Sequence, residues 1–131
     1  MTNTRGQILL VDDDDLVLAS LYRLLENNGY EVLAASNGPD GLIMFRESMR
    51  PIDLLITDYD MPQMSGLELA RECSHFYRGL SVLYVSGSRP DEELQADLQA
   101  GKRGFLAKPF RAAELLRKAK ELLLAEPNGQ L

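Results

Sequence analysis

The sequence predicts an α/β fold, a doubly wound (βα)5 three-layer sandwich in which helices cover both faces of a parallel five-stranded sheet. Three observations predict it. Five short apolar runs recur along the chain. Each is largely continuous rather than alternating, as in strands covered on both faces. The segments between them carry apolar residues at helical spacing, and right-handed crossovers joining such units place helices on both sides of the sheet.

The elements follow in order. Ile8 to Val11 is the first strand. Val17, Leu21, Leu24 and Leu25 then fall at i, i+4, i+7 and i+8, a helical stripe that Gly29 stops as a left-handed cap. Val32 to Ala35 is the second strand, and Leu42, Phe45 and Met49 form a second helical stripe after Pro39. Leu54 to Thr57 is the third strand, followed after Ser65 by the stripe Leu69, Cys73 and Phe76. Val82 to Val85 is the fourth. Pro90 and Asp91 open a fourth helix carrying Leu94 and Leu98, with Gly101 beyond its end. Phe105 to Ala107 is the last strand, and Leu115, Ala119, Leu122 and Leu123 belong to the fifth helix. No linker interrupts the pattern, so residues 1–131 are expected to form one domain with a core over about 7–124. The tail 125–131, with Pro127, Asn128 and Gly129, is expected to fray.

Composition bounds what such a chain can do. Apolar residues at 45% and charged residues at 26% exclude disorder and fibrous repeats. The 14 Lys and Arg against 20 Asp and Glu give a formal charge of −6. No Lys/Arg run supplies the basic patch that direct nucleic-acid binding needs. Cys73 is the only cysteine and His75 the only histidine, which excludes an intrachain disulfide, a multi-cysteine or two-histidine metal site and a Cys-x-x-Cys redox pair. Neither has polar neighbours that would activate it, so their closeness is read as accidental. The N-terminus Met-Thr-Asn-Thr-Arg-Gly-Gln lacks an apolar targeting core, and no apolar run approaches the roughly 18 residues of a membrane span. A cytoplasmic location without membrane contact is expected.

In a doubly wound sheet the ligand site lies beyond the carboxyl ends of the strands, where the strand order switches. The first run ends in Asp12, Asp13, Asp14 and Asp15, the third in Thr57, Asp58, Tyr59 and Asp60, the fourth in Ser86, Gly87 and Ser88, and the fifth in Lys108 and Pro109. Asp14 and Asp15 read as acids favoured by the dipole at a helix N-terminus. Asp12, Asp13 and Asp58 read as a site. Within about 5 Å of one another, each ionised pair repels by roughly 3 kcal/mol at an effective dielectric of ~20, or about 10 kcal/mol for the three pairs. A positive group is required there. A hard divalent cation with oxygen ligands fits, and Mg2+ is favoured over Ca2+ because so few carboxylates leave positions for water and phosphate oxygens. Lys108 supplies a compact ammonium suited to a phosphoryl oxygen, and Ser86 one rotatable donor. The set resembles an apparatus for transferring a phosphoryl group to an aspartate, with Asp58 as nucleophile.

At these residues the sequence resembles a response-regulator receiver domain, the phosphoacceptor half of two-component signalling. The resemblance runs from about Gln7 to Leu124. It is carried by Ile-Leu-Leu-Val-Asp-Asp-Asp at 8–14, Asp-Leu-Leu-Ile-Thr-Asp-Tyr-Asp-Met-Pro-Gln-Met-Ser-Gly at 53–66, Val-Leu-Tyr-Val-Ser-Gly at 82–87 and Gly-Phe-Leu-Ala-Lys-Pro-Phe at 104–110. Each piece is weak alone; four in order at strand ends are specific. The resemblance implies a flavodoxin-like sheet of strand order 2-1-3-4-5. It implies that Asp58 takes a phosphoryl group from a phosphohistidine on a histidine kinase or histidine phosphotransfer domain. Asp13, Asp58 and the main-chain carbonyl of Asp60 would then hold Mg2+, with Asp12 acting through water. Ser86 stands at the switch hydroxyl, Lys108 at the family's lysine, whose bond to Pro109 is usually cis, and Phe105 at the aromatic switch. The implied output surface is the fourth helix, fifth strand and fifth helix. Phe105 lacks the hydroxyl of a tyrosine switch, so coupling there must come from packing. Asp60 and Ser88 occupy positions that tune the dephosphorylation rate. Such a domain catalyses only its own phosphorylation and dephosphorylation.

Two other functions fit parts of the sequence. Asp58-x-Asp60 after an apolar strand also resembles the nucleophile motif of haloacid-dehalogenase-type phosphatases, but Pro62 departs from that pattern and the chain has no room for a cap insertion. A phosphorylation-independent interaction module with a receiver fold is disfavoured because no acceptor or metal ligand is missing. The Tyr-Val-Ser-Gly turn at 84–87, Lys-Pro-Phe at 108–110 and the leucine-rich last helix are similar to receivers of hybrid histidine kinases, so such a kinase is one source for the chain beside a regulator signalling by direct contact.

Overall fold

The computed structural model describes residues 6–125. Strands and helices alternate throughout: β1 (Gln7–Val11), α1 (Asp15–Asn27), β2 (Glu31–Ala35), α2 (Gly38–Glu47), β3 (Leu54–Asp58), α3 (Gly66–Phe76), β4 (Ser81–Ser86), α4 (Glu92–Leu98), β5 (Arg103–Ala107) and α5 (Ala112–Leu124). All strand pairs are parallel, in the order β2-β1-β3-β4-β5. The expected fold and strand order are those observed.

Side chains alternate across a strand, so each apolar run feeds two cores. Ile8, Leu10, Leu54, Ile56, Leu83 and Val85 point to one face, where they pack with Leu21 and Leu25 of α1 and Leu115, Ala119 and Leu122 of α5. Leu9, Val11, Leu55, Val82 and Tyr84 point to the other, against Leu67, Leu69, Ala70 and Cys73 of α3 and Leu94 of α4. β1, β3 and β4 are buried along their whole length, whereas β2 and β5 are half exposed as edges. No helix among the described residues is long and apolar enough to cross a membrane.

Helix starts match their sequence signals. Asp14 caps α1 by accepting from the amides of Leu16 and Val17, and Asp15 lies in the first turn, so both acids serve the helix start. Ser65 and Glu68 form a reciprocal capping box on α3, and Asp91 caps α4. Gly29 has φ +92, the left-handed conformation that follows a helix end. Two residues of the predicted stripes are not core. α2 ends at Glu47, Ser48 turns extended, and Met49 is 98% exposed. Phe76 closes α3 and is mostly exposed, its ring lying 5.4 Å below the Arg46 guanidinium. The predicted tail beyond Ala125 falls outside the described residues.

Candidate functional site

The strand order makes β1 and β3 neighbours in the register Val11↔Thr57, so Asp12 and Asp58 leave the sheet side by side. Asp12 is 2% exposed and its Oδ1 accepts the Asp14 amide at 2.9 Å, fixing the carboxylate at the entry to α1. Asp13 is exposed on the same turn. Asp58 is 7% exposed at the last position of β3. One ligand atom from each of Asp12, Asp13 and Asp58 lies within 4.8 Å of the others. Lys108, after β5, places its Nζ 3.5 Å from Asp12 Oδ2 and 3.4 Å from Asp58 Oδ1. Its amide donates to the Ser86 carbonyl at 2.8 Å, and its bond to Pro109 is cis.

The electrostatics are strained toward anion excess. Burial, and then the Asp12 carboxylate, push the Asp58 carboxyl up to about 6 against the opposing pull of Lys108. Burial of Lys108 works against its charge, but Asp12 and Asp58 outweigh it and hold the ammonium above its ordinary range. Among the described residues Lys108 is the one cation within ion-pairing distance of Asp12 and Asp58. One ammonium facing three carboxylates leaves an uncompensated negative charge, and an all-oxygen donor set with this charge fits a hard dication such as Mg2+.

Ser86 is buried at the end of β4, and its hydroxyl donates to Asp60 Oδ2 at 3.3 Å while accepting the Ser88 amide at 3.0 Å. Asp60 and Ser88 are themselves exposed. Ser86, expected as the switch hydroxyl, and Asp60 and Ser88, expected to tune the dephosphorylation rate, thus form one hydrogen-bonded group. Phe105 is half-buried, pairs in register with Tyr84 and packs on the core that holds Leu94 of α4. Cys73 is wholly buried and its thiol is pushed up to about 12 by burial, while His75 is exposed, so neither serves the site.

Three residues given no site role by the sequence fix the elements around it. A Cβ on Gly66 would lie 2.4 Å from the Asp58 carbonyl oxygen and 3.0 Å from Tyr59 Cα, so only glycine lets the start of α3 approach the end of β3. Tyr59 bonds across 32 residues to Asp91, and Tyr84 bonds to Asp97, both on or at the cap of α4. A glycine next to a capping serine signals a helix start, but nothing local in the sequence signals the tyrosine partners.

Comparison with known proteins agrees with this geometry. The model of the response regulator receiver domain matches residues 8–120. The chain is 40% identical over 117 residues to the response regulator MprA of Mycobacterium avium, covering 89% of this chain and 50% of that protein. It is 35% identical over 119 residues to the sensor kinase CckA of Brucella abortus, covering 88% of this chain and 12% of that protein. The chain therefore spans half or less of these relatives. Among solved structures, the response regulator TrrA of Thermotoga maritima, in complex with Mg2+ and BeF, superposes with a TM-score of 0.75 at 30% identity, covering 89% of this chain and 98% of that one. With its fold, its four strand-end motifs and its match over residues 8–120, this chain belongs to the response regulator receiver domain family.

Proposed function

We propose that the chain is the phosphoacceptor of a cytoplasmic two-component or phosphorelay system, taking a phosphoryl group from a phosphohistidine onto Asp58 in a Mg2+-dependent reaction. One observation carries this reading: the Asp58 carboxylate is buried beside Asp12 and Asp13, their ligand atoms within 4.8 Å of one another, with Lys108 Nζ at 3.4 Å. Asp13, Asp58 and the main-chain carbonyl of Asp60 are the residues to hold the metal, and Asp12 to act through water. When bound, Mg2+ supplies charge neutralisation for the carboxylates and the phosphoryl oxygens.

An Asp58 carboxylate oxygen attacks phosphorus as the P–N bond to the donor imidazole breaks. The bonding pair leaves on the imidazole nitrogen, which takes a proton, and Asp58 becomes an acyl phosphate. Lys108 is placed to shift its ion pair from Asp58 to a phosphoryl oxygen. Ser86 exchanges its bond to Asp60 for one to the phosphoryl group, Phe105 turns into the space that opens, and the face of α4, β5 and α5 changes its affinity for an output partner. Asp60 and Ser88, which share the Ser86 hydroxyl, set the phosphoryl lifetime. The donor is a histidine kinase or histidine phosphotransfer domain. The likeness to CckA supports a hybrid kinase as one source of the chain, and that to MprA a regulator.

The test is phosphorylation by phosphoramidate, a P–N donor like phosphohistidine. The expected product is hydroxylamine-labile, absent with chelator, and formed at least about tenfold more slowly by Asp13→Asn at the same Mg2+ concentration. Equal rates with Mg2+ and with chelator contradict the proposed metal site.

A further inference from the structure

Tyr59 and Tyr84 have no place in the chemistry above, yet each sends its hydroxyl to a carboxylate of the α4 region. Tyr59 Oη donates to Asp91 Oδ2 at 2.8 Å, and the other oxygen of the same carboxylate caps α4 by accepting the Leu94 amide at 2.9 Å. Tyr84 Oη donates to Asp97 Oδ2 at 2.6 Å, an oxygen that also takes Arg103 Nε at 3.0 Å. The two rings meet edge to face with centroids 6.4 Å apart. Both ends of α4 are thereby tied to the floor of the sheet.

The Tyr59 tie is placed to matter for the acceptor. Tyr59 follows Asp58 directly, and its backbone is held from both sides: its amide donates to the Val85 carbonyl at 2.9 Å and its carbonyl accepts the Gly66 amide at 2.9 Å. Its backbone is therefore a fixed point from which the side chain reaches Asp91. The connection from Gly87 to Pro90 has Ser86 at one end and the tied Asp91 at the other. A displacement of Ser86 must be absorbed within that short connection or passed to Asp91. Phe105 has no hydroxyl with which to make a comparable link.

Resting on the receiver reading, we propose that Tyr59 is a positioning residue for Ser86. Its bond to Asp91 anchors the far end of the Gly87 to Pro90 connection, keeps Ser86 on Asp60 in the resting form, and opens when a phosphoryl group draws Ser86 away, loosening the first turn of α4. A bond made in the resting form and lost in the phosphorylated one opposes phosphorylation, so its removal favours the phosphorylated form.

Two substitutions separate this role from a structural one. Tyr59→Phe deletes the hydroxyl. Asp91→Ser keeps an oxygen to cap Leu94 but removes the second carboxylate oxygen, the one that accepts from Tyr59. With Mg2+ present, each variant, once circular dichroism shows it folded, is expected to bind beryllofluoride about three- to tenfold tighter than wild type, and the double variant no tighter than either single one. In the wild type, beryllofluoride speeds hydrogen exchange at the Leu94 amide; in Tyr59→Phe that exchange is already fast and responds little. Wild-type binding with Tyr59→Phe within about twofold of it, fully additive substitutions, or a Leu94 amide insensitive to beryllofluoride overturns the tie while leaving the receiver reading intact. Failure of the wild type to bind beryllofluoride overturns both.

Discussion

At the scale of single residues, the surroundings of Asp58 cost stability. Its carboxyl, raised to about 6 by burial and Asp12, binds a proton in the native state at pH values where the unfolded chain has already lost it. Stability therefore falls as pH rises through the window between the ordinary aspartate range and about 6. Asp58→Asn is expected to raise the unfolding free energy by about 1–3 kcal/mol at pH 7 and by little at pH 4, measured by denaturant unfolding at both pH values. A variant no more stable than wild type at pH 7 contradicts the charge excess. Lys108→Met removes the ammonium that Asp12 and Asp58 share, and the same measurement should show a loss of about 1–3 kcal/mol at pH 7. Asp12, Asp13, Asp58 and Lys108 are legible in the sequence because strand ends in this fold converge and their charges demand one another. The bond from Ser86 to Asp60 is not, because a rotatable hydroxyl chooses among acceptors whose positions only the folded loops define.

At the scale of elements, the junction of β3 with α3 decides whether Asp58 is presented correctly. Gly66→Ala would drive a methyl group against the Asp58 carbonyl and the Tyr59 backbone, neither of which can yield like a side-chain tip. It is expected to cost about 2–4 kcal/mol and to weaken Mg2+ binding together with stability. Ser65→Ala, which breaks only the capping box of α3, should cost about 1 kcal/mol and leave Mg2+ affinity near wild type. Calorimetric unfolding and a Mg2+ titration on both variants distinguish these outcomes. Element order and type are legible because the apolar runs and helical stripes do not compete. Met49 misleads because its spacing continues a stripe past the point where Ser48 turns extended, and Phe76 because it takes the last position of α3, where its ring meets Arg46 and not the core.

At the scale of the whole molecule, strand order turns separate sequence pieces into one site. Placing β1 between β2 and β3, and β4 next to β3, brings Asp12, Asp58 and Ser86 to the same rim, and β5 at the edge delivers Lys108 to it. That order is carried by the likeness of the motifs to receiver domains; the alternation alone gives a doubly wound sheet without its order. Because the carboxylates converge only in the folded chain, Mg2+ at about 100 times its dissociation constant should stabilise the wild type by about 2.7 kcal/mol, and Asp13→Asn markedly less.

The most direct measurement is the intact mass of the protein after incubation with a small-molecule phosphodonor, with and without Mg2+, for the wild type and Asp58→Asn. A single phosphoryl increment that requires Mg2+ and is confined to the wild type is the expected result. An increment of equal size in Asp58→Asn, or none in any sample, would contradict Asp58 as the phosphoacceptor.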